Sequence, residues 1–173
     1  MSLPDLLSLS RIFLIPPIII LFESNYFLTA TFMYILASVS DFLDGYIARL
    51  YKLESLNGEI LDLMADKIFI STLLIWSVYN FQDLIILIAA ILIILRELSM
   101  SFLRMHLQIK DMNSVPLKAD LFGKLKTTTQ MTGMGFLIVS PIFGEPLFLF
   151  STYLILFSGI ISWLSLLNYL KKI

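Results

Sequence analysis

The chain has 173 residues, 58% of them hydrophobic and only 14% charged, with a formal net charge of −1. Its mean hydropathy is far more positive than a water-exposed globule of this size sustains, which points to a membrane protein, and the missing basic excess speaks against nucleic acid as a partner. Cysteine is absent and His106 is the single histidine, so disulfides, thiolate nucleophiles and His-rich metal sites are excluded, and any chemistry runs on carboxylates and bases.

The first segment, MSLPDLLSLSRIFLIPP, has no basic leader and no small-residue cleavage site after its apolar stretch, and reads as a retained helix. Apolar segments then run at roughly Leu7 to Phe22, Phe27 to Leu50, Gly58 to Tyr79, Asp83 to Leu107, Thr127 to Ile142 and Leu147 to Leu170. Most approach the ~20 residues that a ~30 Å hydrocarbon core requires, while the first and fifth are short or partly interfacial. The expected fold is an all-α integral membrane bundle of six transmembrane helices. No repeat or linker divides it, so residues 1–173 are expected to form a single domain.

The connections near residues 23–26, 80–82 and 143–146 hold no Lys or Arg, whereas Lys52, Lys110, Lys118, Lys124, Lys126, Lys171 and Lys172 fall in the other loops or the tail. By the positive-inside rule both termini are cytoplasmic. The longest loop, Gln108 to Lys126, is then cytoplasmic as well, and Asn, Ser and Pro interrupt its helical pattern.

This orientation puts the charged stretch SDFLDGYIARL, residues 40–50, at the cytoplasmic end of the second segment. At 100° per residue Asp41, Asp44, Gly45 and Ala48 share one stripe, with Arg49 at its edge. On the third segment Gly58, Asp62 and Asp66 follow at successive four-residue steps, again one stripe. A short connection lets the two stripes face each other.

Four carboxylates in a partly dehydrated site repel, since each costs roughly 2.5 to 3.5 kcal/mol at a membrane-helix centre. Arg49 and Lys67 supply too little charge to balance them, and Lys67 can snorkel to water. Oxygen-only ligands of high charge suit Mg²⁺, Mn²⁺ or Ca²⁺, and a pair of such ions stabilises the entering and leaving oxygens of phosphoryl transfer. Gly45, Ala48 and Gly58 admit a flat ligand or another backbone, although helix packing alone also explains them. Interhelical ion pairs or an ion pathway are the competing account of the acids. Four in register with Arg49 favour a metal-dependent phosphate site facing the cytoplasm.

The run Asp41-Phe-Leu-Asp44-Gly45-Tyr-Ile-Ala48-Arg49, then Gly58, Asp62 and Asp66, resembles the complete signature of the CDP-alcohol phosphotransferases, DxxDGxxAR(x8)GxxxDxxxD, at every position and gap. The resemblance implies a six-helix membrane enzyme, usually a homodimer, that moves a phosphatidyl or similar group from a CDP-linked donor to an alcohol and releases CMP. It implies that Asp41, Asp44, Asp62 and Asp66 hold two divalent cations, Mg²⁺ or Mn²⁺, with Asp66 also the base. Asp41, Gly45, Ala48, Arg49 and Gly58 are implied to bind the CDP donor, with Gly45, Ala48 and Gly58 closing on the cytidine and Arg49 on the pyrophosphate.

Arg96-Glu97-Leu-Ser-Met-Ser-Phe-Leu-Arg104 and Gly123-Lys124-Leu-Lys126-Thr127-Thr128-Thr129-Gln130-Met131 are similar to stretches of the bacterial branch of that family acting on sn-glycerol 3-phosphate, as is LPDLLSLSRIFLIP at the N-terminus. The similarity runs through about Met131. Asp5 stands where the family commonly has Asn, Ser8 where Thr is common, and Leu63 where Pro often follows the third acid.

The branch implies phosphatidyl transfer from CDP-diacylglycerol to sn-glycerol 3-phosphate in the bacterial inner membrane, with the site facing the cytoplasm and membrane lipid around it. Arg96, Arg104, Lys124 and Lys126 suit the acceptor's phosphate, since Arg forks match phosphate oxygens. Arg104, Lys124 and Lys126 equally satisfy the positive-inside rule or lipid headgroups, whereas Arg96 lies about two turns deeper than Arg104 and Glu97 is placed to orient it. A sibling transferase using inositol phosphate, serine or phosphatidylglycerol would share the signature. A divalent-cation carrier would use the acids but leave Arg49 and the basic stretches without a role.

Overall fold

The computed structural model describes residues 3–51, 56–109 and 121–171. Of the side chains in these ranges, those of residues 3–7, 41–51, 56, 57, 59, 104, 107–109, 121, 122 and 124 lie outside what it describes. Six α-helices, and no strand among the described residues, make up the fold: α1 (Leu3–Glu23), α2 (Phe27–Tyr51), α3 (Leu56–Phe81), α4 (Leu84–Ile109), α5 (Leu121–Phe143) and α6 (Glu145–Leu170). The first and fifth helices, expected to be short, have 21 and 23 residues. Backbone hydrogen bonding carries them past their apolar stretches, through LPDLLS in α1 and LFGKLK in α5. Pro16 and Pro17 remove two N–H donors from α1, and Pro141 one from α5, yet the helices run on.

Three tight reversals join consecutive helices. Asn25 adopts the left-handed region at φ 63° after α1, with its N–H donating to the Phe22 carbonyl at 2.9 Å. Gln82 does the same at φ 48°, and Asp83 then caps α4, its Oδ1 accepting from the N–H groups of Ile85 and Ile86 at 2.8 and 3.0 Å. Gly144 at φ 80° turns the chain from α5 into α6, where a side chain would be strained, and Pro146 occupies the first turn that follows.

The helices pack in a closed circuit: α1 lies on α2 and α3, α2 on α5, α5 on α6, α6 on α4 and α4 on α3. A core of Ile15, Ile18, Ala30, Tyr34, Phe69, Leu73, Ile93, Met134, Leu137 and Ile155 fills its middle. Tyr34 stacks on Phe69 with ring centroids 5.7 Å apart and donates its hydroxyl to the Met131 carbonyl at 2.8 Å. Beyond the core, one end of the bundle is aromatic. Phe22 meets Trp76 edge-on at 4.8 Å, and the Trp76 indole donates to Glu23 at 3.0 Å.

Large apolar side chains also face outward on every helix, among them Phe13, Phe32, Ile75, Ile91, Phe136 and Phe157. A monomeric protein in water rarely leaves so much apolar surface uncovered. Leu84–Leu103 and Glu145–Leu170 are long and apolar enough to cross a membrane.

Candidate active site

Away from the aromatic cluster, seven charged residues form two triads and a link between them: Arg11 with Asp62 and Asp66, Glu97 with Arg96 and Lys126, and Lys67. The first lies between α1 and α3. Asp62 and Asp66, one turn apart, share a face of α3. On α1 the residues Ser8, Arg11, Ile15, Ile18 and Phe22 recur at three- and four-residue steps and are all buried, so Arg11 occupies a core-facing position. Its guanidinium forks: Nη1 donates to Asp66 Oδ1 and Nη2 to Asp62 Oδ1. One turn earlier the Ser8 hydroxyl approaches the same Asp62 oxygen at 3.4 Å. The Arg11 side chain is 1% exposed, whereas those of Asp62 and Asp66 remain 39% and 36% exposed. A buried cation thus backs two carboxylates that keep an open side.

Arg11 is the site residue that sequence reasoning missed. Arg49 and Lys67 are the cations close to the acids in sequence, and they leave a balance for bound dications to meet. Arg11 is separated from Asp62 by 51 positions and cancels part of that repulsion without any ion. The heptad-like spacing of the N-terminal segment was the signal that could have found it, because an Arg on the apolar stripe of a membrane helix demands an acidic partner.

The second triad lies among α4, α5 and α6. Arg96 is buried, donating from Nη1 to Glu97 Oε1 at 3.1 Å and from Nε to the Ser162 carbonyl at 3.0 Å. Glu97, expected to orient or neutralise Arg96, is in contact with it. Lys126 is buried as well, on the α5 stripe that continues through Gln130 and Met134, and its Nζ donates to the same Glu97 Oε1. Two cations share one carboxylate, which leaves the triad with an excess positive charge.

Lys67 connects the two. Instead of reaching to water it turns across to α4, where Nζ donates to the Ser101 hydroxyl. Ser101 in turn donates to the Glu97 carbonyl at 2.8 Å. Because Lys67 directly follows Asp66, the acidic and basic triads are neighbours across the α3–α4 boundary.

Gly58 lies on α3 one turn before Asp62. Asp41, Asp44, Gly45, Ala48 and Arg49 occupy the last turns of α2, and their side chains, like those of Arg104 and Lys124, fall outside the described ones. Among the described residues no group of three acidic or imidazole side chains gathers into a metal-binding set. The exposed oxygens of Asp62 and Asp66 are hard donors of the kind that Mg²⁺ or Mn²⁺ prefers, so the residues present fit such an ion. His106 is exposed, with its ring stacked on Phe102 at 6.4 Å.

Comparison with known proteins identifies the chain's relatives. Residues 1–168 match the family model for CDP-alcohol phosphatidyltransferase. A protein of Rickettsia typhi named CDP-diacylglycerol–glycerol-3-phosphate 3-phosphatidyltransferase is 37% identical over 143 residues, covering 80% of this chain and 76% of its own length. Proteins of the same name from Haemophilus influenzae and Pseudomonas fluorescens are 36% identical over 141 residues and 30% identical over 179 residues. The Haemophilus match covers 79% of this chain and 75% of the relative, and the Pseudomonas match 99% and 89%. The chain belongs to the CDP-alcohol phosphatidyltransferase family and is a transferase of phospholipid biosynthesis.

Proposed function

We propose that this enzyme transfers the phosphatidyl group of CDP-diacylglycerol to sn-glycerol 3-phosphate, giving phosphatidylglycerophosphate and CMP. The observation that carries the reading is the adjacency of an acid pair with an open side to a buried, cation-rich triad, linked through Lys67 and Ser101. An acidic face suits a donor pyrophosphate presented with divalent cations, and a cationic face suits an acceptor that is itself a phosphate. The names of the relatives point to the same pair of substrates.

In this reading Asp41, Asp44, Asp62 and Asp66 hold two divalent cations, Mg²⁺ or Mn²⁺, which when bound neutralise the donor's diphosphate and polarise its phosphorus. Gly45, Ala48 and Gly58 leave room for the cytidine, and Arg49 pairs with the pyrophosphate. Arg96, Arg104, Lys124 and Lys126 receive the acceptor's phosphate, Lys126 with N–H donors beyond the one it gives to Glu97. Asp66 accepts the proton of the glycerol hydroxyl while that oxygen forms a bond to the β-phosphorus of the donor. The bond from that phosphorus to the bridging oxygen breaks, and CMP leaves with the electron pair.

All six helices span the bacterial inner membrane as one domain, both termini and the charged end face the cytoplasm, and two copies form a homodimer. The lipid donor then reaches an aqueous acceptor at the membrane surface.

CMP release from CDP-diacylglycerol by the purified full-length chain tests the function. Release that requires both glycerol 3-phosphate and Mg²⁺ is expected. Release with inositol phosphate, serine or phosphatidylglycerol but not with glycerol 3-phosphate would overturn the acceptor. Divalent-cation flux into liposomes without CMP release would favour a carrier.

A further inference from the structure

We propose that Arg11 is a positioning residue for the transfer, fixing Asp62 and Asp66 as a rigid pair from their buried side so that their exposed side meets the reactants. The inference rests on the reading above for what the carboxylates do, and on the contacts of α1 for the rest. A single guanidinium contacts one oxygen from each of two carboxylates a helical turn apart, with separate nitrogens. Two like-charged side chains on one helix face otherwise swing apart, since each gains by distance from the other.

The fork opposes this in two ways. Its charge lowers their repulsion, and its planar geometry dictates where both Oδ1 atoms sit. A lysine in the same place would supply the charge as a point and leave the directions unset. The difference in exposure assigns the sides: Arg11 is sealed in the α1–α3 interface, and the acids are open. Ser8, one turn before Arg11 and buried, adds its hydroxyl to the Asp62 oxygen from the same helix face. The α1 surface thus serves as a template on which the acidic face of α3 is set.

Arg11→Lys and Arg11→Gln variants of the full-length chain test this, each with two readouts: Mn²⁺ binding followed by electron paramagnetic resonance in the absence of donor, and steady-state CMP release at saturating Mg²⁺. Arg11→Lys, which keeps the charge and loses the fork, is expected to bind Mn²⁺ about tenfold more weakly. Its kcat falls at least about tenfold, with KM for both substrates within about threefold of the parent. Arg11→Gln is expected to lose about 100-fold in kcat.

A lysine variant within twofold of the parent in both Mn²⁺ affinity and kcat would overturn the proposal, because charge alone would then suffice. Loss of helicity together with parallel rises in both KM values would overturn it too, since Arg11 would then only hold α1 on α3. A parent that releases CMP without any divalent cation would instead defeat the metal reading of the site, and the kcat ratio of variant to parent would still judge Arg11.

Discussion

The two charged triads invert one another. Between α1 and α3 one buried arginine serves two carboxylates that remain more than a third exposed; among α4, α5 and α6 one largely buried glutamate serves a buried arginine and a buried lysine. Each triad buries an ion that contacts two partners of the opposite sign. In the proposed reading the exposed face of Asp62 and Asp66 meets a metal-bearing donor, and the basic triad meets an anion.

The sharpest way to break the comparison is at Asp66. Asp66→Asn keeps the volume and one contact to Arg11 but removes the proposed base, and kcat for CMP release is expected to fall about 10³-fold. Near-normal turnover in that variant would remove Asp66 from the chemistry. Glu97→Gln attacks the opposite triad at its organising ion. With Arg96 and Lys126 buried beside a neutral amide, the folded state is expected to lose about 3–5 kcal/mol, read as a lower thermal midpoint in detergent. An unchanged midpoint would mean that water or lipid headgroups already compensate the two cations.

Gly133→Ala separates the triads by mechanics rather than charge. A Cβ there would lie 2.8 Å from Ile155 Cγ1 and 3.3 Å from the Ile155 backbone nitrogen, so α5 must move off α6. The expected cost is about 1–3 kcal/mol, with KM for glycerol 3-phosphate raised and Mg²⁺ dependence intact, since the acidic triad stands on other helices. A change confined to Mg²⁺ dependence would contradict the division. Ser8→Ala has the smallest effect. Its contact to Asp62 is long, at 3.4 Å, so a change of about 0.5–1.5 kcal/mol, a few-fold in kcat, is the most that a hydrogen bond of this type supplies. A loss beyond about tenfold would give Ser8 a role of its own.

The local parts of this arrangement could be read in the sequence. Apolar runs locate the helices, four-residue spacing puts Asp62 and Asp66 on one face, and adjacency suggests that Glu97 steadies Arg96. The spacing of the acids and small residues gives the family resemblance, which the family match bears out. Contacts between distant segments were not legible. Arg11 meets Asp62 and Asp66 only because α1 packs on α3, and Lys67 meets Ser101 only because α3 and α4 run side by side. The stripe on α1 marks Arg11 as core-facing, but no periodicity in a single sequence says which helix it meets. The lengths of α1 and α5 were underestimated for a related reason: apolar content marks where lipid could surround a helix, whereas backbone hydrogen bonds continue through polar turns such as LFGKLK.

The claim that the basic triad receives the acceptor is tested most directly by the KM for glycerol 3-phosphate in Lys126→Met, measured at several Mg²⁺ concentrations beside the parent. This account predicts a rise of about tenfold or more with the Mg²⁺ dependence unchanged, since the lost ammonium belongs to the triad proposed to receive the acceptor phosphate. An unaltered KM, or a shift in Mg²⁺ dependence alone, would contradict it.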